Sequence, residues 1–264
     1  MGGMVRALWE YRAFIIGSVL REFQSKYRRS LLGAAWSVLN PLALILVYTL
    51  IFANVMKARL PGVESTYGYS IHLCAGILTW GLFSEITGRA QTVFIENASL
   101  LKKLSFPRLC LPAVVVLSAG LNFAIVFGLF LVFLIITGNF PGWPILALIP
   151  MLAIEVAFAI GLGICLGVFN VFFRDVGQGF AVVLQFWFWL TPIVYPLSVI
   201  PESWRSVVEL NPMARLVLGY QDVFVRGVWP NWVNLWPVLT LAAIACVLGF
   251  ALFRRRSGEL VDEL

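Results

Sequence analysis

The chain is 264 residues long, 61% of them hydrophobic and only 12% charged, too little polar surface to cover a water-soluble globule of this size. At about 20 apolar residues per helical crossing of a bilayer, the length holds six crossings with short connections and leaves no room for a soluble catalytic domain. The formal charge of +6 does not point to nucleic acid, because the basic residues stand singly or in short clusters at the ends of apolar runs, where they orient a membrane protein and meet anionic headgroups.

The apolar run 13–20 behind Arg6 and Arg12 has the outline of a signal peptide, but Arg21 and Glu22 follow at once without a small-residue cleavage site, so it is read as mature protein. Leu8, Tyr11, Ile15, Val19, Phe23 and Tyr27 recur at three- and four-residue steps, which predicts an amphipathic helix lying at the interface within segment 1–30. Such a helix anchors and orients the first span, or binds lipid headgroups; the pattern leaves both readings open. Apolar runs at about 31–56, 69–88, 112–136, 145–172, 177–195 and 235–253 predict six tilted spans, five of them within 31–195. Between the fifth and the last, segment 196–234 is broken by Pro196, Pro201, Pro212 and Pro230 into amphipathic pieces, with Leu216, Tyr220 and Phe224 on one helical face. These pieces are too short to cross and predict re-entrant or interfacial helices. The last span and its tail occupy 235–264, and no repeat or linker divides the chain, so one all-α polytopic domain is expected over 1–264.

Six spans place both termini on one side. If that side is the cytoplasm, the outer segments hold only Lys57, Arg59, Arg205, Arg215 and Arg226 of the nineteen Lys and Arg, the asymmetry of the positive-inside rule.

Few residues here carry chemistry. A phosphate-binding loop needs glycines followed by Lys and then Ser or Thr, and none of the four lysines precedes either. Glu85 and Glu155 lie inside spans, where an ionisable group is a functional hypothesis because its desolvation is costly. Arg89 stands one helical turn beyond Glu85, so an ion pair explains that one. Glu155 has no basic partner on its own helix; a protonated side chain, an interhelical hydrogen bond and a polar conduit lining all remain open. His72 reads as an interfacial polar residue rather than a ligand, since no second metal ligand is spaced for it. Cys74, Cys110, Cys165 and Cys246 form no CxxC pair, so neither zinc nor a disulfide is expected. No nucleophile elbow or paired-carboxylate pattern is present. Aromatic residues make up 14% of the chain and read as interfacial belts, although such rings also stack on the apolar faces of sugars. Gly161, Gly163 and Gly167 give the fourth span a small face at which another helix, from the same chain or another, can approach closely.

Several segments in chain order carry a resemblance: REFQSKYRRSLLGAAWSVLNPL at 21–42, ENASLLKKLSFPRLCLP at 96–112, FFRDVGQGF at 172–180, FWFWLTPIVYPLSVIP at 186–201 and LNPMARLVLGY at 210–220. Together they resemble the permease subunits of bacterial type-2 ABC exporters of polysaccharide, which move O antigen, capsule or teichoic acid. The resemblance implies a non-catalytic permease subunit of the inner membrane, with both termini cytoplasmic. It implies a homodimer with a conduit at its two-fold interface and two separate ATP-binding-cassette subunits, which hold ATP and Mg; this chain itself needs no cofactor. The substrate implied is a lipid-linked polysaccharide, with O antigen the first choice. Residue by residue, Leu100, Leu101, Lys102, Lys103, Phe106 and Arg108 match the segment that docks on the ATPase. Arg21, Lys26, Arg28 and Arg29 match the place where a lipid-pyrophosphate headgroup enters. Trp36, Tyr48, Phe52, Trp80, Phe83, Phe186, Trp187 and Trp189 fall where a polymer path would run. Three other readings compete: a type-2 permease for a drug or small amphiphile, a membrane enzyme acting on lipid-linked sugars, and an ATP-independent channel or carrier.

Overall fold

The computed structural model describes residues 9–27, 32–51, 60–61, 63, 65–103, 107–256, 258–259 and 263. Among these there is no strand. Helix α1 (Arg12–Tyr27) leads through a 3-10 turn into α2 (Trp36–Tyr48), which continues as a π turn to residue 51. Then come α3 (Gly68–Ala90), two short helices α4 (Val93–Glu96) and α5 (Ala98–Lys103), α6 (Cys110–Ile136), and α7 (Leu148–Phe172) behind a 3-10 turn at Trp143–Ala147. Helix α8 (Asp175–Leu190) is followed by α9 (Glu202–Leu210), α10 (Pro212–Gln221) with a π turn at Asp222–Arg226, and α11 (Trp232–Arg256).

Three stretches are long and apolar enough to cross a membrane by length and composition alone: Cys110–Ile136, Trp143–Phe172 and Trp232–Arg256. The other expected spans are helices of a different character. Helix α3 has 23 residues but buries Ser70, His72, Thr79 and Thr87 along with its apolar side chains. It is the central helix, packed against α7, α6, α10, α2 and α8, so protein rather than lipid surrounds it. Its threonines turn inward on their own helix, Thr79 donating to the Ala75 carbonyl at 2.8 Å, which removes the cost of a buried hydroxyl.

The fifth span ends at Leu190, five residues before the expected boundary. Pro192 disfavours helical backbone at the residue before it, and Thr191 is extended, at φ −100° and ψ 132°. The 16 residues of α8, at 1.5 Å each, reach about 24 Å, short of a hydrocarbon core of about 30 Å. The non-helical chain that follows is covered by protein, with Thr191 and Ile193 fully buried, the condition under which irregular backbone is tolerated at membrane depth. The turn between α6 and α7 needs positive φ at Gly138 (70°) and Gly142 (73°), which side chains with a Cβ rarely adopt.

The small face of the fourth span is used within the chain, and by two neighbours. A Cβ on Gly161 would stand 2.5 Å from the Cys246 backbone nitrogen of α11, whereas one on Gly163 would meet the Ala90 side chain of α3 at 2.5 Å. A Cβ on Gly167 would meet the Ala90 carbonyl at 2.6 Å. The outer faces of α6 and α11 carry exposed Leu117, Val132, Ile136, Ile244, Val247 and Leu248, the apolar belt that a lipid-embedded body requires.

Candidate functional site

Three polar arrangements join the helices of the bundle to one another. The first docks the interface helix. One face of α1 packs on α6, with Ile15 buried and Val19 and Phe23 half-buried; the other leaves Ile16 and Leu20 exposed, as an interfacial helix does. Glu22 lies on the protein-facing side, three residues after Val19, and reaches two spans. One carboxylate oxygen meets Arg89 Nη2 of α3 at 2.5 Å, and the other accepts from the Ser118 hydroxyl of α6 at 2.9 Å. The expected Glu85–Arg89 pair is present at 3.4 Å and is the looser of the two, while Asn122 donates to Glu85 Oε1 at 2.8 Å. Glu22 was missed by sequence reasoning, although its position on the Ile15–Val19 face was visible.

Arg89→Glu is expected to undock α1. A half-exposed pair contributes about 1 kcal/mol or less, but reversal also sets a third carboxylate beside Glu22 and Glu85. In an Ile15→Cys background, thiol labelling should accelerate roughly tenfold, and the Glu22→Arg/Arg89→Glu exchange should recover most of the protection.

Among the expected headgroup contacts, Arg21 is exposed and donates to the Ser18 hydroxyl at 3.1 Å. Arg28, Arg29 and the Lys26 side chain lie outside the described residues.

The second arrangement roots the segment between the second and third spans. Val93, Phe94 and Leu101 are buried in one apolar cluster with Leu111 and Val115 of α6, Val168 and Val171 of α7, and Phe253 of α11. The Phe94 and Phe253 rings stack at 5.5 Å. Leu100 and Arg108 are half-buried and Lys102 is exposed; Phe106 and the Lys103 side chain lie outside the described residues. Beside this root, Asn170 ties three elements at once: its amide donates to the Gln91 carbonyl at the end of α3 (3.0 Å) and accepts from the Gly177 N–H of α8 (2.9 Å). A lone amide inside the apolar run LGVFNVFF was its only sequence signal.

The third arrangement clasps the segment before the last span. Leu216, Tyr220 and Phe224 are buried as their shared face predicted. The Tyr220 hydroxyl donates to Glu155 Oε2 of α7 at 2.8 Å, both residues being fully buried. Of the alternatives open for Glu155, the interhelical hydrogen bond is therefore the one formed, while Oε1 has no partner among the described residues. His72 is not an interfacial residue as expected; it is 5% exposed, because α10 covers it. Its ring Nε2 lies 3.3 Å from Gln221 Nε2, and the same amide donates to the Pro192 carbonyl at 3.1 Å. Asn211 caps α10 by accepting from the Met213 N–H, and the same oxygen accepts from Trp187 Nε1 at 2.8 Å. Its amide donates to the Thr191 hydroxyl at 3.0 Å, so one side chain pins the end of α8 to the start of α10.

The expected path-lining aromatics do not share one environment, and Trp187 is half-buried. Trp80 and Phe83 are core residues, 8% and 0% exposed, packed on Trp187 of α8 at 6.1 and 5.3 Å, with Phe83 stacked on Phe158 at 5.4 Å. Trp36, Phe186 and Trp189 are exposed at 41%, 66% and 59%. Tyr48 is half-buried and Phe52 lies outside the described residues. A cavity of about 420 Å³ lies beside Trp187, Tyr195, Trp204 and Asn211; the Tyr195 hydroxyl is engaged on the Trp189 carbonyl and the Trp187 N–H on Asn211. No group of three or more His, Cys, Asp or Glu side chains converges among the described residues.

All three arrangements tie together helices that are far apart in sequence. The sequence profile of the family described as ABC-2 type transporter matches residues 15–225. The chain is 34% identical to an O-antigen export system permease protein RfbA of Myxococcus xanthus, over 99% of both chains. It is 31% identical to one from Klebsiella pneumoniae over 92% of both, and 22% identical to the polysialic acid transport protein KpsM of Escherichia coli over 98% of this chain and 100% of that one. The chain belongs to the ABC-2 transporter family, as one of its membrane-spanning permeases.

Proposed function

We propose that this permease exports a lipid-linked polysaccharide, with O antigen the first candidate, across a bacterial inner membrane, both termini lying in the cytoplasm. The observation that carries the reading is the chain-long similarity to the O-antigen permease of Myxococcus xanthus, 34% over 99% of both chains. The chain works as a homodimer with two ATP-binding-cassette subunits that hold ATP and Mg, since no lysine here stands before Ser or Thr as a phosphate loop requires.

In this reading Lys102, exposed on a stub rooted in α6, α7 and α11, meets the ATPase together with Leu100, Leu101, Lys103, Phe106 and Arg108. Closure of the ATPase then reaches α8 through the same cytoplasmic joint, Asn170. ATP drives the change only through its different affinity for the two states. The exposed Trp36, Phe186 and Trp189 face the polymer path between two copies, with Trp80, Phe83 and Trp187 packed behind them and Tyr48 and Phe52 along the first span. Arg21, Lys26, Arg28 and Arg29 receive the pyrophosphate headgroup as it enters beside α1.

The test is depletion of the chain in its host, followed by separate measurement of lipid-linked glycan on the two faces of the inner membrane. Glycan should accumulate inside, and tagged chain should bring down an ATPase that crosslinks to position 102. Normal glycan on the outer face after depletion, with a small amphiphile accumulating in the cell instead, would transfer the chain to the amphiphile-exporting permeases.

A further inference from the structure

We infer that the cleft between the first three spans is a binding site for one phospholipid whose headgroup ends in a primary ammonium. The cleft, of about 300 Å³, lies between Leu44 and Ile45 of α2, Ile77 and Gly81 of α3, and Phe123 and Val126 of α6. Its wall is almost entirely apolar. A Cβ built on Gly81 meets nothing within 4 Å among the described residues, so no described helix explains a glycine that costs helix stability at that position. The space in front of it is open and suits an acyl chain.

The cleft ends at polar groups. Glu85 and Asn122 belong both to its wall and to the wall of a second cavity, of about 260 Å³, formed also by Glu22, Ser25, Arg89 and Ser118. An apolar compartment therefore shares a boundary with a polar one directly beneath the interface helix, the outline of a lipid with its tail in the bundle and its head at the surface.

The charges select the head. Among the described residues that line it, two carboxylates and one guanidinium, Glu22, Glu85 and Arg89, give the polar compartment a formal charge of −1. Both hydrogen bonds to Glu85, from Arg89 and from Asn122, end on Oε1; Oε2 accepts none from the described residues. A carboxylate has about four acceptor positions, so Glu85 retains capacity for a donor. A primary ammonium brings three N–H donors and a positive charge. A choline head brings the charge without a donor, and a glycerol head leaves the lipid anionic beside two carboxylates. The guanidinium has five N–H donors, so Arg89 can hold both carboxylates and still meet the lipid phosphate. The same net charge works against a pyrophosphate, which separates this site from the entry of a lipid-linked polymer.

The test uses the full chain purified into nanodiscs holding equal amounts of dioleoyl phosphatidylethanolamine, phosphatidylcholine and phosphatidylglycerol, followed by native mass spectrometry of the lipid retained on ejection. One ethanolamine lipid per chain is expected, enriched about tenfold over the glycerol lipid. Gly81→Phe, whose Cβ meets nothing within 4 Å among the described residues, projects into the cleft and should abolish the retained lipid; Gly81→Leu serves if the larger ring prevents folding, with folding followed by size exclusion and by labelling at Ile15→Cys. Glu85→Gln should keep the lipid but remove the preference for ethanolamine over choline. Equal retention of lipid by Gly81→Phe or Gly81→Leu overturns the site, as does enrichment of the glycerol lipid or of none. Neither polysaccharide nor ATPase takes part, so the outcome is independent of the export reading.

Discussion

Tyr220→Phe is expected to lower the thermal midpoint of the purified chain more than its single lost hydroxyl suggests. That hydroxyl donates to Glu155 Oε2 at 2.8 Å, both side chains are fully buried, and Oε1 of the same carboxyl already lacks a partner among the described residues. Removing the hydroxyl leaves a buried carboxyl with no hydrogen bond from a described residue, a loss of about 1–3 kcal/mol. Glu155→Leu alone strands the phenol instead and should also destabilise. The double variant Glu155→Leu/Tyr220→Phe removes both polar groups and should return close to the parent, because replacing a buried polar pair by apolar groups of similar shape is often nearly neutral. Differential scanning fluorimetry of the four proteins in one detergent reads the cycle. A double variant no more stable than Tyr220→Phe would show that the pair stabilises beyond satisfying each other, and the description of it as a mutual clasp would fail.

Gly161→Ala should be strongly destabilising for a single added methyl. The added carbon would stand 2.5 Å from the Cys246 nitrogen and 2.7 Å from the Ala245 carbonyl carbon. Both are backbone atoms of α11, so no side-chain rotation relieves the contact. The opposing Gly249 is equally close, its own Cβ falling 2.6 Å from the Gly161 carbonyl oxygen. Overpacking of this kind costs about 1–3 kcal/mol or more, against the helix-propensity gain of up to about 1 kcal/mol that alanine brings over glycine. Gly128→Ala in α6, where a Cβ meets nothing within 4 Å, is the matched control and should leave the midpoint unchanged or slightly raised. Similar midpoints for the two variants would mean that α7 and α11 separate freely, contrary to their close packing.

Part of the site was legible without coordinates, in each case because the partner sat at a fixed helical step. Glu85 and Arg89 are four residues apart, and the pair formed. Leu216, Tyr220 and Phe224 share a face, and all three are buried. Residues whose partners lie far along the chain were not legible. Glu155 and Tyr220 are 65 positions apart, Glu22 and Ser118 are 96, and Gln221 and His72 are 149. His72 was misjudged for the same reason: nothing local shows that α10 folds back over it.

Hydropathy and charge placement by themselves determined that this is a lipid-embedded helical chain with an interfacial helix at one end and non-spanning helices before the last crossing. Those properties follow from transfer of each segment between water and hydrocarbon, which depends on local composition. Tertiary structure alone decided which neighbour each glycine admits, which aromatics become core and which stay exposed, and how Glu22, Asn170 and Asn211 join elements that the chain keeps apart. Periodicity reports which face of a helix avoids water, but every apolar face satisfies that demand equally. The choice among them is made by close packing and by hydrogen bonds between side chains distant in sequence.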